Sequence, residues 1–458
     1  MFVRLCASIL VGQANILLIE EAQHSKETSV KTSDPRRAPM DLNDTPEEAA
    51  FRAEVRAWLE ANAERKTEDE EEGAAELFEE RDEQAILAEA RAWQRKKFDA
   101  GWAGLRWPKE YGGRGLGPIH EVIWNQEVSK YRAPEGVFLI GIGMAGPTII
   151  THGTEEQKKK WLPPMLRGDE IWCQLFSEPA AGSDAAGITT RGVVDGDELV
   201  INGQKVWTSG AHYSKWGIMT VRTDPDVPKH KGITFIVVDM ESPGITVKPL
   251  KQMTGGANFN EVFFDDVRVP LWNVIGRLND GWRVAITTLM NERVAIGTGG
   301  GGGGIKHLIE YLKKTEYMGR PASKDPVVRQ EFARLYELAS VMKYTGYRTL
   351  TAISQGKPPG PEGSISKLLL VNFLAREAAL TARVAGPAGA LLGDDAPDGG
   401  RWARLMLSYP GLKIAGGTDE ILRNLIGERV LGLPKEPRVD KDVPFKDVPH
   451  GTLSKPAG

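Results

Sequence analysis

Cysteine is nearly absent: Cys6 and Cys173 are the only two in 458 residues, and they lie in unrelated contexts. No disulfide framework is implied, and a reducing, cytoplasmic setting fits. Histidine is also scarce, at seven residues. Those at His152, His212 and His307 show no ligand spacing, so metal chemistry has no motif behind it. No apolar run nears the roughly 20 residues needed to span a bilayer. There is no basic excess: the net charge is −4, with no basic tail. That balance excludes the electrostatic footprint of a nucleic-acid or anionic-membrane binder. What remains is a chain of globular composition, 41% hydrophobic and 26% charged. It is too long for one ordinary core, so two or three domains are expected.

Residues 1–39 read as foreign to the rest. Their apolar character is split between Val3–Val11 and Ile16–Ile19 and followed by acidic Glu20-Glu21, unlike the single core of an export signal. A disordered extension is expected there, with Met40 as the natural start. From Asp44-Thr45-Pro46-Glu47-Glu48 a helix begins, with Pro in its first turn and carboxylates favouring the dipole. Phe51, Val55, Trp58 and Leu59 recur at helical spacing. Residues 40–170 read as a helical domain: an acidic loop over 67–72, helices over 77–100, 119–131, 147–152 and 154–166, and a structured Gly- and aromatic-rich loop over 101–116. Gly141, Gly143 and Gly146 match the spacing of a dinucleotide fingerprint. Pro147 follows at once and helices flank the segment, so close helix packing is the expected role.

The periodicity then switches to strands over 171–275, as in a small barrel or sandwich. Strands are expected over 215–222, 232–240, 245–250 and 260–269. Asp195-Gly196 and Asn202-Gly203 read as two turn signals. The first strand ends in Ser177-Glu178-Pro179-Ala180-Ala181-Gly182-Ser183-Asp184. Pro179 cannot extend a ladder, and the small residues after it let a ligand lie on the backbone, with N–H groups and a hydroxyl offered to an anion. Read alone, the stretch is first of all a plain loop.

A helical bundle is expected over 276–435. Its first helix carries the apolar stripe Trp282, Ala285, Ile286, Leu289 and Ile296, and Glu292 and Arg293 interrupt it. Two readings stand: a structural ion pair or rim position, and a general base whose pKa an apolar wall would raise. The six-glycine tract 299–304 is either a flexible break or a tight packing surface. Long helices follow over 305–315, 326–353 and 364–385, interrupted at Gly386-Pro-Ala-Gly389, with a further turn over 402–407. Thr418 is the expected N-cap of a last helix running to about Val430. The aperiodic tail over 436–458 is expected to be peripheral.

The order of helices, small β domain and helical bundle resembles the acyl-CoA dehydrogenase family of flavoproteins. The motifs that carry the resemblance are Trp161-Leu-Pro-Pro-Met-Leu-Arg-Gly, Ser177–Asp184, Asn202-Gly-Gln-Lys-Val-Trp-Thr-Ser, Phe259–Pro270, and Gly416-Gly-Thr-Asp-Glu-Ile with Arg423 and Glu428-Arg-Val-Leu-Gly. The likeness spans about residues 40–435. It implies that Phe176 and Ser177 contact the flavin ring edge of FAD, and that Gly182 and Ser183 hold the pyrophosphate, with Ser183 also toward substrate. Trp207 would pack on the isoalloxazine and Ser209 would bond near its reactive nitrogen. Gly386 and Gly389 resemble the glycine turn that meets a neighbouring subunit's cofactor, and Thr418 and Glu420 would meet FAD near its adenosine end. A homodimer or homotetramer is implied.

Many members carry the catalytic glutamate directly before the Gly-Thr pair; here that position is Gly416. The isovaleryl and long-chain branches place it on the first bundle helix before an arginine, which Glu292-Arg293 resembles. The implied reaction is α,β-dehydrogenation of an acyl-CoA to a trans-2-enoyl-CoA. Glu292 would be the base, the Gly416 N–H would bond the thioester carbonyl, Arg293 would stand by the pocket, and an electron-transfer flavoprotein would be the acceptor. One departure is the segment Thr315-Glu-Tyr-Met-Gly319, where many members have Arg-x-x-Phe-Gly. Rival readings are a silent subunit of a hetero-oligomer, an oxidase or monooxygenase of this fold, and a non-enzymatic binding protein.

Overall fold

The structure is a computed structural model that describes residues 44–67, 82–297, 304–354, 360, 363–393, 395–437 and 440–448. The extension over 1–39, the acidic segment 68–72, the helix start over 77–81 and most of the glycine tract lie outside the described residues.

Helix α1 (Pro46–Asn62) buries Phe51, Val55 and Leu59, three of the four positions that the spacing picks out. With α2 (Glu83–Asp99) and α3 (Pro118–Val128) it encloses an aromatic core in which Trp102 stacks on Trp124 at 5.3 Å. Beside that core, Glu127 is buried. Burial would raise its carboxyl, but hydrogen bonds from Arg56, Lys130 and Arg52 prevail and hold it at about 2. Gly141–Ala145 forms a π-helical turn running straight into α4 (Gly146–His152). No strand precedes a glycine loop here, so the fingerprint spacing is a coincidence of packing: a Cβ on Gly146 would lie 2.1 Å from the Trp107 ring. Helix α5 (Glu155–Arg167) opens on a capping box, in which Thr154 Oγ1 accepts from the Gln157 N–H and Gln157 Oε1 from the Thr154 N–H.

The middle of the chain is one curled seven-stranded sheet: β1 (Trp172–Leu175), β2 (Arg191–Asp195), β3 (Glu198–Ser209), β4 (Trp216–Arg222), β5 (Ile233–Asp239), β6 (Ile245–Leu250) and β7 (Phe259–Pro270). β1 runs parallel to β4 from Trp172↔Trp216 to Leu175↔Met219, and β5 is antiparallel on the other edge of β4. All seven β4 residues are buried, as its near-continuous apolar run requires. The β2–β3 hairpin turns at Asp195–Glu198, β3 pairs with β7, and β6 closes the far edge.

Asn202-Gly203 is not a turn. It lies inside β3, where Gly203 has φ +148° and a Cβ would sit 2.7 Å from Thr190 Oγ1. The dipeptide is selected by this close approach to Thr190, and the Asn202 side chain bonds Asp266 on β7.

The C-terminal bundle comprises α6 (Gly281–Gly297), α7 (Ile305–Lys314), α8 (Pro326–Ser354), α9 (Gly363–Ala385), α10 (Arg401–Ile414) and α11 (Asp419–Leu425), the last continued by a π-helical turn over Ile426–Val430. Helix α10 is longer than the short apolar run suggests, running through Pro410. A small hairpin, β8 (Glu316–Tyr317) and β9 (Arg320–Pro321), follows α7.

The tail departs from the expectation of a peripheral segment. Residues 440–448 return to the β domain, and Phe445 is 5% exposed. Its N–H donates to the Val227 carbonyl at 2.9 Å, and the Lys446 N–H donates to the Pro225 carbonyl at 3.0 Å. No helix among the described residues is long and apolar enough to cross a membrane.

Candidate functional site

The site is built on the end of β1. The strand stops at Leu175, and Glu178 and Ala181 exchange both backbone hydrogen bonds, at 3.1 and 3.0 Å, to make a tight turn around Pro179. The turn is anchored beneath by the Glu178 side chain. Its carboxylate accepts from the Thr189 N–H (2.6 Å), the Thr190 N–H (3.0 Å) and Lys205 Nζ (2.8 Å). Burial opposes ionisation of both partners and pulls the Lys205 ammonium down. For Glu178, the Lys205 charge and these hydrogen bonds outweigh burial and hold the carboxyl below its usual range. Two of the carboxylate's partners, the Thr189 and Thr190 N–H groups, can only donate, which favours its charged form. Lys205 Nζ also reaches the Phe176 carbonyl at 3.2 Å.

β3 contributes the next piece. Its pairing with β7 slips twice. Between Ile201 and Gly203 the extra residue is on β7, where Asp266 has φ +48°; between Lys205 and Thr208 it is on β3, where Trp207 has φ +60°. A bulge of this kind reverses the in–out alternation. Lys205 and Thr208 both point inward, while the Trp207 indole is 55% exposed, edge-on to Phe259 at 6.0 Å. The Val206 N–H donates to the Ser177 carbonyl at 2.9 Å, tying the bulge to the β1 turn. Phe176, Ser177, Trp207 and Ser209 are thus gathered on two adjoining backbone segments. Beyond them Gly182 and Ser183 are exposed, with open space above Gly182. A large indole held outward in a costly backbone conformation suits a flat aromatic ligand laid beside it. The small-residue turn next to it suits an anion. The residues present therefore fit a flavin nucleotide.

Glu292 comes from α6. Gly281, Val284, Ala285 and Thr288 form the buried face of this helix, and Thr288 Oγ1 is 2.9 Å from Thr148 Oγ1. Ile286, expected in the stripe, is 39% exposed: the buried face is rotated toward Val284 and Thr288. Glu292 is half-buried one turn beyond Thr288 on that face. Ala285 and Leu289 share a core cluster with Phe176, so the helix packs on the core beneath the end of β1. The Arg293 and Ile296 side chains lie outside the described residues.

Gly416 precedes α11 with φ +62°. Thr418 caps that helix, its Oγ1 accepting from the Ile421 N–H at 3.2 Å, and Glu420 is exposed in the first turn. Lys367 Nζ donates to the Gly417 carbonyl at 2.8 Å, which fixes the approach to the cap. Gly386 and Gly389 lie in a 3₁₀ turn at the end of α9. These five positions stand on the bundle rather than on the sheet. Sequence reasoning missed Glu178 and Lys205 as supports; the signal available was a lone lysine amid the β-branched residues of β3. Cys173 lies in β1 but is inert, its thiol pushed up to about 12 by burial.

A helical layer, a curled sheet and a second helical layer, with a turn and bulge for a flat anionic ligand, define a flavoprotein-type dehydrogenase fold. The chain belongs to the acyl-CoA dehydrogenase family: the N-terminal, middle and C-terminal domain models of that family match residues 45–169, 173–267 and 279–431. The acyl-CoA dehydrogenase IpdE1 of Mycobacterium tuberculosis is 39% identical over 347 residues, covering 74% of this chain and 86% of that one. A solved structure described as the Tcur3481-Tcur3483 steroid ACAD is 30% identical with a TM-score of 0.71, covering 87% of this chain and 100% of that one. The ChsE4-ChsE5 complex from Mycobacterium tuberculosis is also 30% identical, with a TM-score of 0.70 over 87% and 100%. Members of the family are oxidoreductases and flavoproteins, with FAD the usual cofactor.

Proposed function

We propose that this chain is an FAD-dependent acyl-CoA dehydrogenase that converts an acyl-CoA thioester to its trans-2-enoyl-CoA and passes the electrons to an electron-transfer flavoprotein. The observation that carries this reading is Glu292, half-buried on the packed face of α6 at the position where one branch of the family keeps its base. Bound FAD supplies the hydride acceptor. Phe176, Ser177, Trp207 and Ser209 orient it, and Gly182 and Ser183 hold its phosphates. Gly386, Gly389, Thr418 and Glu420 bind from the bundle of the same or a neighbouring subunit.

Glu292 takes the α-proton as general base. The Gly416 N–H donates to the thioester carbonyl, stabilising the charge that develops there as the proton leaves. By the family likeness alone, Arg293 would serve the same pocket. The likeness to a steroid ACAD and to the two-component ChsE4-ChsE5 complex supports two further points. Acyl chains bearing fused rings belong among the candidate substrates, and assembly with a second, different subunit stands beside the homotetramer.

The test is anaerobic titration of the purified yellow protein with a panel of straight, branched and ring-bearing acyl-CoAs. Bleaching of the flavin band by at least one member is the expected result. A protein that binds FAD but is bleached by none of them, alone or with a second subunit, would overturn the reading.

A further inference from the structure

The tail that returns to the β domain lies beyond residue 431, where the family match ends, and its contacts are placed around the phosphate turn. Two cations hold the outgoing limb of that turn. Lys229 Nζ pairs with Asp184 Oδ2 at 2.8 Å. The Arg222 guanidinium donates to the carbonyls of Ala186 (2.5 Å), Ile188 (3.4 Å) and Lys229 (2.6 Å). Each cation is covered by one tail residue. Asp440 Oδ2 lies 2.6 Å from Lys229 Nζ, and the Phe445 ring lies against Arg222, with the guanidinium carbon 3.7 Å from its centroid. A bridge between Pro228 and Pro444, the two backbone hydrogen bonds of Phe445 and Lys446, and an ion pair from Lys446 to Asp226 at 2.7 Å bind the tail to the β4–β5 loop over residues 223–232.

We propose that Asp440–Val448 is an intramolecular strap that positions the Gly182–Asp184 turn for a nucleotide diphosphate, acting through Lys229 and Arg222. The inference rests on the reading of that turn given under Proposed function. Phe445 and Asp440 are positioning residues and touch no ligand. The geometry gives each a distinct part. Phe445 shields Arg222 from water, which strengthens its bonds to the Ala186 and Ile188 carbonyls. Asp440 fixes the position of the Lys229 ammonium, which in turn holds Asp184 at the end of the turn. Electrostatics alone would make Asp440 unfavourable to an anion nearby, so a positional role and a purely electrostatic one predict opposite signs when it is removed.

The same diphosphate chemistry is offered by FAD and by coenzyme A, and the experiment separates them. Phe445→Ala, Asp440→Asn and Phe445→Leu are prepared in the full chain as holoenzyme. Three quantities are measured: amide hydrogen exchange over residues 182–187, FAD affinity after reconstitution, and KM and kcat with an acyl-CoA and with the matching acyl-pantetheine, which lacks the nucleotide. Exchange over 182–187 is expected to rise at least about tenfold in Phe445→Ala and Asp440→Asn and to return toward the parent in Phe445→Leu. FAD affinity or the acyl-CoA KM is expected to worsen about tenfold, with kcat and the acyl-pantetheine KM nearly unmoved. A weaker FAD assigns the turn to the cofactor, and a raised acyl-CoA KM assigns it to the substrate. Unchanged exchange overturns the strap itself, and tighter binding in Asp440→Asn overturns the positional role. Faster exchange with neither affinity altered overturns the turn's assignment to a diphosphate, and with it the proposal.

Discussion

Lys205 Nζ, wholly shielded from solvent, lies 2.8 Å from Glu178 Oε1 and 3.2 Å from the Phe176 carbonyl oxygen. One side chain thus joins the middle of β3 to both ends of the short path between β1 and the small-residue turn that follows it. Replacing it by Met leaves the Glu178 carboxylate buried without its cation. We expect Lys205→Met to lose about 3–5 kcal/mol of stability in denaturant titration. The same variant should be purified with little FAD, as read from the ratio of flavin to protein absorbance.

Glu292→Gln keeps the volume and removes the proposed base. The variant is expected to bind FAD and acyl-CoA as the parent does, with kcat lower by about three orders of magnitude or more. Stopped-flow reduction of the flavin measures it, and near-parental rates would remove Glu292 from the reaction.

Glu377 on α9 is 4% exposed, and burial pushes its carboxyl up to about 7 against the charges of Arg401 and His307, from an ordinary value of 4.5. The folded state therefore holds this proton more tightly than the unfolded chain. Its contribution to stability is fully present below 4.5 and is lost as the pH rises through about 7. Glu377→Gln, a neutral isostere, is expected to gain on the parent between pH 4.5 and pH 8 by on the order of 3 kcal/mol. Melting curves of both proteins across that range would show the gap opening upward in pH; a gap that is constant with pH would contradict it.

Gly146 accepts the Trp107 ring where a Cβ would stand 2.1 Å away. Gly146→Ala should cost about 1–3 kcal/mol through overpacking, read as a lowered Tm.

Several features were legible in the sequence because a local signal and the final contact coincide. Thr154 caps α5 with the residue type and spacing that a capping box needs, and the apolar run of β4 matches a strand buried on both faces. Glu292 was placed by helical period, which survived a rotation of the stripe large enough to expose Ile286. Asn202-Gly203 misled because the letters of a hairpin turn also serve close packing of Gly203 on Thr190, and the partner that decides between them is not adjacent in sequence. The bulge at Trp207 was not legible for a related reason. The extra residue exists only relative to the register of β7, and its effect is to turn the indole outward. Phe445 carries its segment alone, so no period announces it. Its burial depends on Arg222 and the β4–β5 loop, which come from far up the chain.

That distance bears on the order in which the protein matures. Val227 leaves the ribosome roughly two hundred residues before Phe445, and at ordinary synthesis rates of about 5–20 residues per second the interval is ten seconds or more. During that time the sheet can close on its own strands, while the loop beside Asp184 lacks the cover of Asp440 and Phe445. The Gly182–Asp184 turn gains that cover only once residues 440–448 have been made. Under the strap proposal, the turn would stay loose until Asp440 and Phe445 are in place, so that a feature built from the middle of the chain is settled by a segment made much later.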